Sequence, residues 1–250
     1  MRLYAGSSGF SFPEWKGAFY PAELPQRRFL AHYGARLEAL ELNNTFYRMP
    51  KPALLAGWAD EVPAQFRFAI KAPAHISCRI KPATAAGAMA ELWTAARALG
   101  PRLGPVMFQL PPELPIDLGR LSQLLAILPA GMRAAVELRH ESWRDPAVHE
   151  ALRAAGAALC VTDMPERGEP PVVATAEFGY LRLRRARYPK AKLEAWVERM
   201  CAAGWSECYV FFRHEDSAAA PRLACRLAAE LDARTAAAPA VEESGATAWR

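Results

Sequence analysis

Eight short apolar runs along 250 residues, helix-patterned segments between most of them, and polar side chains at every second position of several runs predict an α/β fold. The arrangement is that of a single-domain TIM (β/α)8 barrel. In order, the runs are LYAG (Leu3 to Gly6), LEALEL (Leu37 to Leu42), FRFAIK (Phe66 to Lys71) and GPVMFQL (Gly104 to Leu110), then AAVELR (Ala134 to Arg139), AALCVTD (Ala157 to Asp163), GYLRLR (Gly179 to Arg184) and CYVFF (Cys208 to Phe212). Each is short and bounded by turn residues, as a strand buried on both faces would be. Helical spacing of Leu, Ala and Arg marks MAELWTAARAL (Met89 to Leu99), LGRLSQLLAIL (Leu118 to Leu128), AVHEALRAAG (Ala147 to Gly156) and LEAWVERMCAAG (Leu193 to Gly204). The sixth segment, PERGEPPVVATAE, is broken by Pro and Gly and reads as a loop or a short element. The barrel domain is expected over residues 1–231, and residues 232–250, rich in Ala, Ser, Thr and Pro, as a disordered tail.

Composition narrows the class further. With 52% hydrophobic residues the chain can bury a sizeable core, yet no run is long enough to cross a membrane and MRLYAGSSGF lacks the apolar stretch of a signal peptide. A soluble cytoplasmic protein with no membrane partner is expected; the oligomeric state is not encoded in any pattern here. Five cysteines lie scattered without CxxC spacing, which fits reduced thiols better than disulfides or structural zinc. A net charge of +5 permits an anionic partner without demanding one. The basic stretch RLRRARYPKAK (Arg182 to Lys192) is either a solvated loop and helix start or a seat for phosphate.

Parity within the strands then singles out residues. One face of the runs holds Leu40, Leu42, Phe68, Ile70, Val106, Phe108, Val136, Leu138, Leu181 and Leu183, while the other holds Glu41, Asn43, Lys71, Gln109, Glu137, Arg139, Arg182 and Arg184. A charge pressed against a helix layer costs several kcal/mol, so the polar parity is expected inside the barrel or at its C-terminal rim, where such barrels place their chemistry. Arg67 begins its strand and belongs at the opposite end. The competing reading is an ion-pair network that only fills the barrel.

Glu41 and Glu137 offer a carboxylate pair for general acid/base chemistry, three strands apart, with a gap of roughly 6–10 Å that leaves room for a water. Lys71 joins them as a third catalytic candidate. Arg139, Arg182 and Arg184 suit an anionic group, with Asn43, Asn44 and Gln109 as neutral hydrogen-bonding partners and Asp163, His140 and His214 nearby at strand ends. Tyr47 and Trp143, with Phe46 and Trp15, are candidate walls. A metal-independent hydrolase or related acid/base enzyme acting on a small phosphorylated or glycosidic molecule, needing no cofactor, fits these residues. Two alternatives stand beside it. One is a non-catalytic nucleotide- or nucleic-acid-binding module, a weaker case because the basic cluster is one short stretch without a known RNA- or DNA-binding signature. The other is a metal-dependent endonuclease or isomerase using His140, Glu137, Asp163 and His214, disfavoured because no HxH or HExxH spacing is present.

Five stretches carry a resemblance: GSSGFSFPEWKGAFYP (Gly6 to Pro21), ELNNTFYRMP (Glu41 to Pro50), FRFAIKAP (Phe66 to Pro73), LGPVMFQLPP (Leu103 to Pro112) and VELRHESW (Val136 to Trp143). They resemble the YecE-like family, also called domain of unknown function 72, in a match that runs in unbroken order from about Leu3 to Leu231. The resemblance implies a TIM barrel distantly similar to the xylose-isomerase and endonuclease-IV barrels, without an assigned reaction. The family pattern has a His-Gly pair after the seventh strand and Asn-rich sequence after the eighth, whereas this chain reads LRLRRARYP and FFRHED. Either Arg184, Arg185 and His214 replace those groups, or the ligand differs.

Overall fold

The computed structural model describes residues 1–78, 82–166, 168–213 and 218–237. From the N-terminus, β1 (Arg2–Ser8) leads through a 3-10 turn at Pro13–Trp15 to α1 (Phe29–Gly34) and β2 (Ala39–Leu42), followed by α2 (Pro52–Asp60), β3 (Arg67–Lys71), α3 (Ala74–Ser77) and α4 (Pro82–Ala96). The second half runs β4 (Leu103–Gln109), α5 (Leu118–Ala126), β5 (Ala134–Glu137), α6 (Pro146–Ala154), β6 (Ala158–Asp163), β7 (Phe178–Leu183), α7 (Lys190–Ala202), β8 (Glu207–Phe212) and α8 (Ala219–Ala237). The eight strands close into a parallel barrel in sequence order, with β8 returning to β1 from Arg2 opposite Glu207 to Ser7 opposite Phe212.

The predicted parity holds. Leu40, Leu42, Phe68, Ile70, Val106, Phe108, Val136, Leu181 and Leu183 all join the core between barrel and helices, where full burial of such a side chain contributes about 1.5–3 kcal/mol. A separate inner cluster fills the barrel: Ala39, Ala69, Ala135 and Ala158 on β2, β3, β5 and β6, offset by Tyr180, Tyr209 and Phe211 from β7 and β8. Small residues on one side make room for rings on the other. Below this layer Tyr4 stacks on Tyr209 at 4.8 Å, and Arg67 lies over the Tyr4 ring at the bottom face, as its place at the strand start predicts.

Local chemistry fixes the connections. Asp117 and Asp145 cap α5 and α6 through Arg120 N and Ala147 N, and Pro146 starts α6 with a pre-set φ. Gly6 is required by close approach, since a Cβ there would sit 1.9 Å from the Ala39 carbonyl oxygen. Gly9 turns the chain off β1 with φ 97°, a left-handed conformation natural to glycine.

Three expectations change. β5 ends at Glu137, so Arg139 leaves from beyond the strand. Cys160, whose place in its run reads from the sequence as the apolar, helix-facing parity, belongs to the inner cluster, because β6 turns Ala158 and Cys160 inward. Helix α8 continues past Leu231 to Ala237, carrying the Ala-rich start of the expected tail as helix; residues 238–250 lie outside the described residues. Between β6 and β7 the described residues form no helix, consistent with the Pro and Gly there.

Candidate functional site

The polar parity converges at the C-terminal end of the barrel, where a cavity of about 470 Å³ opens. Asn43, Asn44, Tyr47, Lys71, Gln109, Arg139, Arg182 and Arg184 line it, as expected of them, and Arg213 from the end of β8 joins them. Phe10, Phe12 and Phe46 supply aromatic lining, with Gly9 beside them. Among the described residues around this space five are cationic and none is acidic.

The carboxylates lie underneath. Glu41 and Glu137 are fully buried and have no surface on the cavity. Arg182, from β7, donates from Nη2 to Glu41 Oε1 at 2.8 Å and from Nη1 to Glu137 Oε2 at 3.0 Å. The gap expected to hold a water is thus filled by a guanidinium. Glu41 also accepts from Ser8 Oγ at 2.6 Å and from Tyr180 OH at 2.7 Å, while Glu137 accepts from Thr162 Oγ1 at 2.8 Å and pairs with Arg139 at 3.2 Å and Arg184 at 3.5 Å. Gln109 Oε1 accepts from Arg139 and Arg182, which fixes both guanidinium planes.

Electrostatics follow from these contacts. Burial alone would raise both carboxyl pKa values, but for Glu137 the guanidinium groups of Arg182, Arg184 and Arg139, with the Thr162 hydrogen bond, outweigh it and hold the value at about 2. Glu41 is also held below the ordinary carboxylate range, by Arg182 and its hydrogen bonds from Ser8 and Tyr180. For Arg182, burial is outweighed by Glu41 and Glu137, so its proton is held more tightly than usual. Lys71 differs. Its ammonium sits 3.8 Å above the Phe46 ring and forms no ion pair or hydrogen bond among the described residues. Burial, together with the repulsion of Arg182 and Arg139, outweighs the pull of Glu41 and Glu137 and lowers its pKa to about 8. Burial and the neighbouring Arg182 and Arg139 likewise bring Arg184 to about 10 against the pull of Glu137.

Several sequence-predicted residues fall elsewhere. Asp163 ends β6 on the outward parity, where Arg185 Nε at 2.5 Å and Tyr188 OH at 3.0 Å occupy it, so it ties the segment after β7 to the barrel instead of facing the cavity. His140 Nδ1 bonds Ser142 Oγ at 2.8 Å, and the Trp143 indole is buried with Nε1 donating to Leu114 O. Both line a second cavity, of about 440 Å³, that opens because β5 and β6 share only two residue pairs and part above Val136 and Leu159. Trp15 is packed wholly inside an aromatic cluster with Phe12 and Phe19. His214 lies outside the described residues. The basic stretch disperses: Arg182 and Arg184 reach the cavity, Arg185 turns to Asp163, and Lys190 and Lys192 pair with Glu194 and Glu169.

Among the described residues no three His, Cys, Asp or Glu side chains come together as a metal ion would require, and His140, Glu137 and Asp163 are each directed to other partners. Ser8, Thr162, Tyr180 and Arg213 were the site residues not anticipated. Their signal was present, since each continues the inward alternation of its strand, but a hydroxyl or a ring on that parity reads as barrel filling until its partner is known.

Comparison with known proteins agrees with this architecture. The chain matches the family model "Protein of unknown function DUF72" over residues 4–246. It is 30% identical over 139 residues to the UPF0759 protein YecE of Escherichia coli K12, covering 55% of this chain and 48% of that protein. The chain spans about half the length of the curated relatives it matches. The crystal structure of a DUF72 family protein from Thermotoga maritima MSB8 superposes with a TM-score of 0.79 at 25% identity, covering 93% of this chain and all of that one. A DUF72 family protein from Enterococcus faecalis V583 gives 0.75 at 18% identity over 92% and 95%, a likeness of fold alone. A methyltransferase from Methanosarcina mazei, at 0.55 and 10%, likewise shares only the fold. With the closed barrel, the inward polar parity and a family match that runs from β1 past α8, this chain belongs to the DUF72, or YecE-like, family.

Proposed function

We propose that this protein is an acid/base enzyme acting on a small anionic molecule held in the cationic cavity at the C-terminal mouth of the barrel. The observation that supports the reading is the imbalance of charge. Among the described residues, Lys71, Arg139, Arg182, Arg184 and Arg213 surround the cavity, while Glu41 and Glu137 lie beneath it with their oxygens already bonded. Cations clustered in a partly dehydrated cleft attract phosphate or carboxylate strongly, and planar guanidinium groups match the geometry of either.

In this reading the proton-transfer group is Lys71. A lysine with a pKa near 8 is partly neutral at physiological pH and can accept and return a proton. Glu41 and Glu137 are positioning groups, because carboxylates enclosed by donors and without cavity surface have no path to a substrate proton. Hydrolysis by a carboxylate pair therefore has less support than acid/base chemistry centred on the amine. Extended nucleic-acid binding has less support too, since the basic stretch turns its later residues to acidic partners on the barrel's flank.

Thermal unfolding with a panel of small phosphates and carboxylates at low ionic strength is the test. Members of the panel should raise the melting temperature of wild type, and Arg184→Ala should remove the response. A flat response across the panel would sink the proposal.

A further inference from the structure

We infer that Lys71 is a covalent nucleophile that forms an imine with an aldehyde or ketone carrying a carboxylate or phosphate. The inference rests on the anionic-ligand reading above and deepens it by naming the substrate class.

An imine-forming lysine needs three things: access to a cavity, an environment that favours the neutral amine, and a neighbouring group that holds the carbonyl compound in place. Lys71 ends β3 at the catalytic face of the barrel, with its backbone carbonyl fixed by Thr45 Oγ1 at 2.6 Å. The residue is only 9% exposed, yet it lines the 470 Å³ cavity. The environment disfavours charge, because burial and the nearby Arg182 and Arg139 act against the ammonium. A desolvated lysine beside other cations is a recognised way of making the amine reactive.

Its immediate surroundings are also unusual for a structural lysine. Arg182 at the centre of the site is matched by two carboxylates, whereas Lys71 meets the Phe46 ring face and no carboxylate within pairing distance among the described residues. A lysine retained only to fill the barrel would give up less stability as Met or Leu. Arg139, Arg182 and Arg184 share the cavity and supply the anion-binding half, so a carboxylate or phosphate held there brings its carbonyl carbon towards Nζ.

The step balances without any further reagent. The Nζ lone pair attacks the carbonyl carbon, the carbonyl π electrons move to oxygen, and that oxygen takes one of the amine's protons to give a carbinolamine. Loss of the second N–H proton with the hydroxyl releases water and leaves the C=N bond. The imine nitrogen takes a proton from water in the open cavity, and the resulting iminium is an electron sink for loss of a proton from the adjacent carbon to that same water. The Lys71 nitrogen then takes up and returns its proton as part of the imine, so the acid/base role stays on Lys71 without a free carboxylate.

The test uses the full chain incubated with pyruvate, with dihydroxyacetone phosphate, or with acetone as an uncharged control, each reduced with sodium cyanoborohydride and mapped by peptide mass spectrometry. The expected result is a single reduced adduct on Lys71 with one or both charged probes. It should form at least about tenfold faster than with acetone, because a charge-assisted hydrogen bond contributes that much to binding. The two charged probes separate a carboxylate from a phosphate ligand. Lys71→Arg and Lys71→Met should form none at that position, and exposed Lys16, Lys51 and Lys190 should stay at the level seen with acetone. Absence of a Lys71 adduct, or adducts spread equally over surface lysines, would overturn the inference. If the charged probes nevertheless raise the melting temperature and Arg184→Ala removes that effect, the anion-binding reading stands while the covalent one falls; if neither stabilisation nor adduct is seen, both fall.

Discussion

Glu41 on β2 and Glu137 on β5 are joined through one guanidinium, that of Arg182 on β7, at 2.8 Å and 3.0 Å. Three strands distant in sequence are thereby locked at the C-terminal end of the barrel, beneath the cavity floor. Removing the cation leaves buried Glu41 with no cationic partner among the described residues and Glu137 with Arg139 and Arg184 alone, so Arg182→Met should destabilise the fold by about 3–5 kcal/mol in urea unfolding. Glu137→Gln should lose stability as well, since it leaves Arg182, Arg139 and Arg184 under-compensated. A loss below about 1 kcal/mol for Arg182→Met would mean that the network does not hold the barrel end together.

Acid should reveal Glu137 directly. Its carboxyl falls from an ordinary 4.5 to about 2 in the folded chain, so between those values the unfolded chain binds more protons than the native one. The stabilisation is complete above pH 4.5 and disappears as the pH falls through this window towards 2. It amounts to about 3 kcal/mol for this group. Stability measured from pH 6 down to 2 should therefore fall more steeply for wild type than for Glu137→Gln.

Lys71 has the opposite effect at neutral pH. With its pKa lowered from 10.5 to about 8, the unfolded chain binds the extra proton between those values, so its contribution to stability rises with pH across that window and its penalty is full below 8. Lys71→Met should stabilise the protein at pH 7 by about 1–2 kcal/mol, allowing for solvent screening at the cavity mouth, while abolishing turnover. A destabilised variant would show that Lys71 is structural.

The second cavity makes a separate prediction. Trp143→Ala should lose about 3–5 kcal/mol of stability, because it empties a buried site, and His140→Ala little. Neither should alter the affinity of the mouth cavity for anions. Calorimetric titration with a stabilising anion checks this, and a clear loss of affinity for both variants would return His140 and Trp143 to the binding site.

Much of the site was legible because strand alternation is rigid. In a closed barrel a residue on one parity has nowhere to face but inward, so Lys71, Gln109 and Arg182 could be placed from their spacing alone. Legibility failed just past the strand ends. Asp163 shares a strand end with the inward Thr162 but faces outward to Arg185 and Tyr188, and His140 and Trp143 follow a strand that stops three residues sooner than His140 itself. Beyond the last ladder pair, direction is set by turns and long-range partners, which local periodicity does not encode.

The sequence by itself determined the barrel, the outward apolar layer and the inward convergence of charge at one end, since all three follow from a repeat of two along each strand and the cost of burying unpaired charge. Only the tertiary structure decided which of those charges cancel. Pairing depends on distances across the barrel between β2, β5 and β7, and these spend Glu41 and Glu137 on Arg182 while leaving Lys71 over an aromatic ring. Coulomb energy falls with distance in space and is indifferent to separation along the chain.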